Sequence, residues 1–358
     1  MTAKRLDAEI VPLAENKSRR CAQPCATRVR DNYYLFIHHD SKSSEPPGIL
    51  KSDGALRAMV GSSPMSPDLS TARNIPRLTR AGTAPSVIRL SDTRALAIDN
   101  RWLIYNWLGE PDVQLLKGSE LVTVLVGACS VMIDCSGDKP LFGIPKFIRA
   151  LHYPVVSSYD SPVVLDDGSI LCPVDYDSYC TQMGDRPWET VILKSDKDCS
   201  DWKLYAEIFM QKDNPDMPPM CRPSVKRAAD GNLICAMLGA NEKQQIYVSV
   251  SNNEGKTWSL PTPSGFSGTT HSLIPLADGR LLIAYTDYQA PFGIHIRVSE
   301  DSGRTWPDFE CRLLDDSSVS GDCGWTRGFQ LDDGSVFISY YVTGKKKTTS
   351  ILGAVFQV

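Results

Sequence analysis

The sequence has 358 residues, 42% of them hydrophobic and 22% charged, and a net charge of −4. This balance leaves no basic footprint for nucleic acid or an anionic membrane surface, and the longest apolar run, Leu121 to Ile133, is too short to span a bilayer. Length alone would suit two domains, but a closed ring of repeats uses it as one, residues 1–358.

The first ten residues, Met1-Thr-Ala-Lys-Arg-Leu-Asp-Ala-Glu-Ile10, have no apolar signal-peptide core. Eleven Cys without a Cys-x-x-Cys pair read as small buried thiols, as in the runs around Cys172 and Cys235. Together these favour a reducing, cytoplasmic location. Residues 7–13 read as a short strand. Cys25-Ala-Thr-Arg-Val-Arg-Asp-Asn-Tyr-Tyr-Leu35 follows as two short strands about a turn, and Gly48 to Asp53 repeats the run Val191 to Asp196. Residues 61–83, rich in Ser, Pro, Thr and Arg, read as a long loop. Next come a second strand pair at Ser86 to Leu96 and strands at Trp102 to Trp107 and Leu121 to Val126.

From residue 163 the pattern sharpens. Val163 to Leu171, Ser224 to Ile234, Leu273 to Ile283 and Phe329 to Ile338 each place Asp-Gly between two apolar runs, the strongest short hairpin signal. The turn aspartates are Asp31, Asp92, Asp167, Asp230, Asp278 and Asp333, at intervals of 61, 75, 63, 48 and 55 residues. Such intervals hold four short strands with their loops, the sequence cue of a β-propeller blade. Six copies predict an all-β, six-bladed propeller of four-stranded antiparallel blades. The last blade has only three strands after Asp333, so the N-terminal strand is expected to complete it and cover the open edge.

A second motif recurs at Ser251-Asn-Asn-Glu-Gly-Lys-Thr-Trp258 and Ser299-Glu-Asp-Ser-Gly-Arg-Thr-Trp306, each after an alternating strand. Here Asp or Asn bonds backbone N–H groups, Gly takes positive φ, and Trp packs back on the hairpin. A decayed copy spans Ser195 to Trp202. This motif resembles the Asp-box of the sialidase, or BNR-repeat, superfamily. The Asp-Gly turn joins strands one and two and the box joins strands three and four, so both lie on one face. A site is expected on the other face, where first strands begin and second strands end.

Candidates there are Gln23, His38, His39 and Asp40 in blade one, and Asp99 and Arg101 in blade two. Blade three offers Tyr159, Asp160, Asp175, Tyr176, Asp177 and Arg186. Blades four and five offer Arg222, His271, Asp287 and Tyr288, and blade six Asp322, Trp325, Arg327, Tyr340 and Tyr341. Asp160, Asp175 and Asp287 are read as acid/base carboxylates. His38, Asp40, Tyr176, Asp177, Arg222, His271, Tyr288, Asp322, Trp325, Arg327 and Tyr341 are read as sugar contacts. His38 and His39 point to opposite faces of a strand, so no metal site is expected, and no cofactor is implied.

The resemblance implies hydrolysis of terminal sialic acids by a Tyr nucleophile paired with Glu, three Arg on the substrate carboxylate and an Asp acid/base. The sequence departs from that set. The family's Arg-Ile-Pro opening of blade one reads Ala22-Gln23-Pro24. Its Gly-Tyr pair reads Gly324-Trp325, and its Glu falls near Cys221-Arg222. The function expected is therefore a sialidase-like glycoside hydrolase acting on a glycan or oligosaccharide by another residue set. The alternative is a non-catalytic propeller that binds carbohydrate or a protein.

Overall fold

Each Asp-Gly turn closes the inner hairpin of a sheet. The protein is described here by a computed structural model covering all but residues 1–3, 16–19, 42–53, 77–81, 107–120, 177–187, 288, 291, 309–310 and 347. Asp167 accepts the Ser169 N–H (2.8 Å), Asp230 that of Asn232 (3.1 Å), Asp278 that of Arg280 (3.0 Å) and Asp333 that of Ser335 (3.0 Å). The glycine that follows the aspartate is left-handed, φ +79° at Gly168, a conformation without steric cost for glycine. In blade one Asn32 takes that place at φ +54°.

Six antiparallel sheets follow in chain order. Blade one is Arg20–Arg30, Tyr33–Ser41, Ala55–Ser63 and Ser66–Asn74. Blade two is Gly82–Ser91, Arg94–Asn106 and Leu121–Asp134, edged by the short pieces Leu141–Phe142 and Lys146–Phe147. Blade three is Val163–Val164, Ile170–Tyr176, Glu189–Ser195 and Trp202–Met210. Blade four is Met220–Arg227, Leu233–Gly239, Gln245–Ser251 and Thr262–Ser267. Blade five is Thr269–Pro275, Leu281–Asp287, Gly293–Ser299 and Arg312–Asp315. Blade six is Gly324–Gln330, Val336–Thr343 and Thr349–Phe356, completed by Ala8–Glu15, which pairs antiparallel with Thr349–Phe356 as the sequence predicts. Pro12 fits because this strand is outermost and needs no N–H on its solvent side. The adjacent Lys4–Arg5 adds a parallel pair to Arg312–Asp315 of blade five.

One apolar cluster fills each interface between neighbouring blades. Leu35 and Ile37 meet Val87 and Val131 between blades one and two. Leu96 and Ile98 meet Cys172 and Val174 between two and three. The series continues with Leu171 and Val225, Ile234 and Ile283, Leu282 and Ile338, and returns to blade one through Trp325 and Phe36. The ring is a six-bladed β-propeller, and the ten described cysteines are all free thiols, nine of them buried. Residues 61–83 correct the expectation of a loop, because Ser66–Asn74 is the outer strand of blade one. Thr71 is its only buried side chain, so the strand has almost no hydrophobic pattern to read.

The two Asp-boxes share one bonding scheme. Asn253 Oδ1 accepts Thr257 N–H (3.0 Å) and Ser251 Oγ accepts Gly255 N–H (2.9 Å). Asp301 Oδ1 accepts the N–H groups of Arg304 (3.0 Å) and Thr305 (2.8 Å), and its Oδ2 accepts the Thr305 hydroxyl (2.6 Å). Arg304 of the blade-five box pairs with Asp230 of the blade-four turn at 2.8 Å, which puts box and Asp-Gly turn on one face.

Burial pushes the Asp301 carboxyl up, but bonds from Thr305, Ser299 and Arg304 outweigh it and hold it below its ordinary value of 3.8. Asp301→Ala is expected to cost about 2 kcal/mol at neutral pH, the worth of hydrogen bonds to a charged group. A group whose pKa is depressed by folding stabilises above its unfolded pKa. That advantage is lost as the pH falls from the ordinary value through the lower folded one. Asp301→Asn, which copies Asn253, should keep most of the stability and lose this pH dependence. Urea unfolding across the acid range checks both, and a pH-independent gap between wild type and Asp301→Asn would refute the electrostatic account.

Candidate axial site

The first strands of five blades slip by one residue near their starts, between Ala22 and Cys25, Thr83 and Ser86, Cys221 and Ser224, Thr269 and Ser272, and Gly324 and Arg327. Within each slip one non-glycine residue is left-handed: Gln23 (φ +53°), Ala84 (+56°), Arg222 (+55°), Thr270 (+47°) and Trp325 (+54°). Such a conformation costs about 1–3 kcal/mol and persists only where the surroundings impose it, and a bulge re-aims the side chain it carries. Five bulges in equivalent places form a ring around the axis on the face away from the Asp-boxes. Each of these residues stands eight positions before its turn aspartate, and the residue at that offset in blade three is Tyr159. This constant offset is the signal in the sequence that picks out the ring, since hydrophobic alternation does not reveal it.

Three ring residues from blades three, four and six meet at the axis. The Tyr159 and Trp325 rings stack with centroids 5.8 Å apart and planes 18° apart. The Arg222 guanidinium lies 5.5 Å from the Tyr159 centroid and 5.8 Å from that of Trp325. Such cation–π contacts suit arginine, whose planar group is weakly hydrated. Arg222 Nη1 donates to Thr269 Oγ1 (2.7 Å), and its backbone N–H donates to Asp175 Oδ2 (2.8 Å). Beside this stack Tyr341 Oη donates to Asp322 Oδ1 (2.9 Å), and Arg20 Nη2 is 2.5 Å from the same oxygen. The Arg20 guanidinium also lies 5.7 Å from the Tyr341 ring centroid. In blade one Arg57 pairs with Asp40 (2.8 Å), and His39 reaches Asp99 of blade two (3.0 Å).

Several residues chosen from the sequence therefore come together here: Arg222, Trp325, Asp322, Tyr341 and Asp175. Asp287 ends the second strand of blade five, half-buried, and accepts Gln289 N–H at 2.9 Å. Others lie elsewhere. Tyr176 packs edge-on against Tyr153 (5.1 Å) in the core between blades two and three. His38 and His271 are buried, and burial pushes each imidazole down to about 4, so both are neutral at physiological pH. His271 Nε2 donates to the Ala236 carbonyl (3.0 Å). Among the described residues no three His, Cys, Asp or Glu side chains gather as metal ligands. Asp177, Arg186 and Tyr288 fall outside the described residues.

Asp160 and Arg327 sit one layer deeper, inside the channel. Asp160 is 2% exposed and lies between Lys226 Nζ of blade four (3.3 Å) and Arg327 Nε of blade six (3.3 Å). It also accepts Ser161 N–H (2.6 Å) and the Ser224 hydroxyl. Burial pushes this carboxyl up, but Lys226, Arg327, Ser224 and Ser161 together hold it below the ordinary value. Blades three and six face each other across a six-membered ring, so the Asp160–Arg327 pair spans the axis.

Six four-stranded blades, Asp-boxes on one face and a ring of bulges on the other define a sialidase-like propeller. The BNR repeat-like domain model matches residues 155–343, more than half of the 358-residue chain, and the chain belongs to that family. A crystal structure of a protein of unknown function from Dyadobacter fermentans is similar over 100% of both chains (TM-score 0.83, 17% identity). Trypanosoma rangeli sialidase, solved with the inhibitor DANA, is similar over 99% of this chain (TM-score 0.61, 13% identity). The similarity spans 58% of that enzyme's length. Hadza microbial sialidase Hz136 is similar over 95% of this chain and 66% of its own (TM-score 0.61, 13% identity). No curated protein matches the sequence. Among the described residues no helix is long and apolar enough to cross a membrane.

Proposed function

We propose that this chain is a sialidase-like glycoside hydrolase whose reacting group is the Asp322–Tyr341 pair, oriented by Arg20. The observation that carries this reading is the bond from Tyr341 Oη to Asp322 Oδ1 (2.9 Å), with Arg20 Nη2 2.5 Å from that oxygen. A hydroxyl becomes an effective nucleophile when an adjacent base takes its proton and a third group aligns the base. Tyr341 Oη would bond to the anomeric carbon while the glycosidic C–O bond breaks and the phenol proton passes to Asp322. The leaving oxygen would take its proton from Asp287, the half-buried acid on this face with no ion pair among the described residues. Water, deprotonated by Asp287, would then displace the tyrosine, which recovers its proton from Asp322. The half-buried Tyr159 ring and Arg222 guanidinium, backed by Trp325, would receive a sugar face and its hydroxyls.

Tyr341 is 2% exposed, and Asp40, Asp99, Asp175 and Asp322 are each bonded within the protein. These two facts favour a second reading, a propeller that holds a glycan here without cleaving it. A panel of aryl glycosides and oligosaccharides separates the two. The hydrolase reading expects turnover on at least one, reduced about a hundredfold in kcat by Tyr341→Phe or Asp322→Asn. Folded protein that turns over none of them, yet binds on a glycan array, sinks the hydrolase reading and supports the second. Sialic acid release is not expected, because Gln23 and Arg222 do not supply the missing Arg and Glu.

A further inference from the structure

The channel holds a second feature on the opposite side of the axial layer. A cavity of about 310 Å³ opens among the turn-proximal halves of the first strands, near the lower end of ligand-pocket sizes. Its walls are apolar, with Val87, Val163, Leu273 and Phe329 among them, and its floor is Asp160, Ser272, Lys226 and Arg327. The basic groups nearer the turns are neutralised, Arg89 by Asp92 and Arg227 by Glu254. At the floor two cations face one carboxylate, which leaves one positive charge in excess.

The floor also holds spare donors. Arg327 is 5% exposed, and among the described residues only one of its five N–H donors, from Nη1, makes a hydrogen bond, to the Thr326 carbonyl (2.7 Å). Its Nε stands 3.3 Å from Asp160 Oδ1 but out of line for a hydrogen bond. Lys226 uses two of its three donors, on Asp160 Oδ2 and the Ser161 carbonyl, both at 3.3 Å. Buried donors in folded proteins are nearly always met by an acceptor, so a lined cavity with donors to spare points to an acceptor from outside the chain.

We propose that this cavity binds a small organic monocarboxylate, its carboxylate on Lys226 and Arg327 and its apolar body along the Val87, Leu273 and Phe329 walls. One excess charge suits a monoanion, and the walls suit a hydrocarbon or aromatic body. The site is separate from the Tyr341–Asp322 group and does not depend on what that group does.

Benzoate and butyrate, set against benzamide and butyramide, test this by saturation-transfer NMR and calorimetry on the full chain. At least one acid should bind saturably at one per chain, and neither amide should. Lys226→Met should weaken the acid by about thirtyfold or more, the scale for losing one charge of a buried contact. Lys226→Met can destabilise the fold by stranding Asp160, so Val164→Trp gives a second route. Val164 lines the cavity and is 38% exposed, and a bulky ring there should block binding while circular dichroism stays unchanged. No saturable binding by either acid, equal binding of the amides, or an unchanged affinity in Val164→Trp each overturns the proposal. So does loss of binding in Arg222→Ala, which would put the acid on the other face.

Discussion

Replacing Asp160 with alanine is expected to remove about 3–5 kcal/mol of stability, because it leaves the buried Arg327 and the half-buried Lys226 without their counter-charge. The loss should be far larger than for any exposed pair, such as Arg5–Asp316, whose worth is about 0–1 kcal/mol. A buried ion group is not necessarily more stable than an apolar one of the same shape. Leucine at all three positions should therefore recover a good part of what the single change loses. The folded pKa of Asp160 lies below the ordinary value, so its contribution is present above that value and fades as the pH falls through the folded one. Guanidinium unfolding of the single and triple variants decides the matter. An Asp160→Ala protein as stable as wild type would mean that the transaxial pair does not hold the ring.

Trp325→Ala is expected to cost a similar amount, about 3–5 kcal/mol, as for other large buried aromatics. The sequence reading makes this residue a sugar-contacting pocket wall, and its burial corrects that. At 6% exposure, stacked on Tyr159 and clustered with Phe36, Tyr341 and Phe337, it packs mostly as core. Its left-handed backbone gives a second, unusual expectation. Trp325→Gly should be no less stable than Trp325→Ala, because glycine alone relaxes at φ +54° and the relief offsets its greater chain entropy. A melting temperature that Trp325→Ala leaves unmoved would refute the packing role.

What could be read in the sequence was local. The turn aspartates, both Asp-boxes and the strand at Ala8–Glu15 announce themselves through side chains that bond within a few residues or through a missing edge. Ser66–Asn74 did not, since an outer strand facing water has no apolar face to alternate. The inner strand of blade three shrinks to Val163–Val164, with a single bridge from Ser157 to Asp175 upstream of it. The site was legible as a face but not as a geometry. Asp160 looked like an acid beside Tyr159, and only the arrival of Arg327 from the opposite blade, 167 positions away, makes it an ion-pair anchor. No pattern of neighbours encodes a contact of that kind.

The closure of blade six has a consequence for how the molecule comes apart. Ala8–Glu15 pairs with Ser350–Phe356, at nearly the greatest separation the chain allows, whereas the inner hairpins pair residues close in sequence. Ordering a loop of that length carries the largest closure entropy in the fold, so this pairing is expected to form after the local hairpins and after the rate-limiting barrier. Contacts made after the barrier govern escape from the native state rather than arrival at it. Leu13 and Ala14, buried between blades six and one, are then a latch on lifetime. Weakening them should shorten the survival of the folded ring while leaving its refolding rate nearly unchanged.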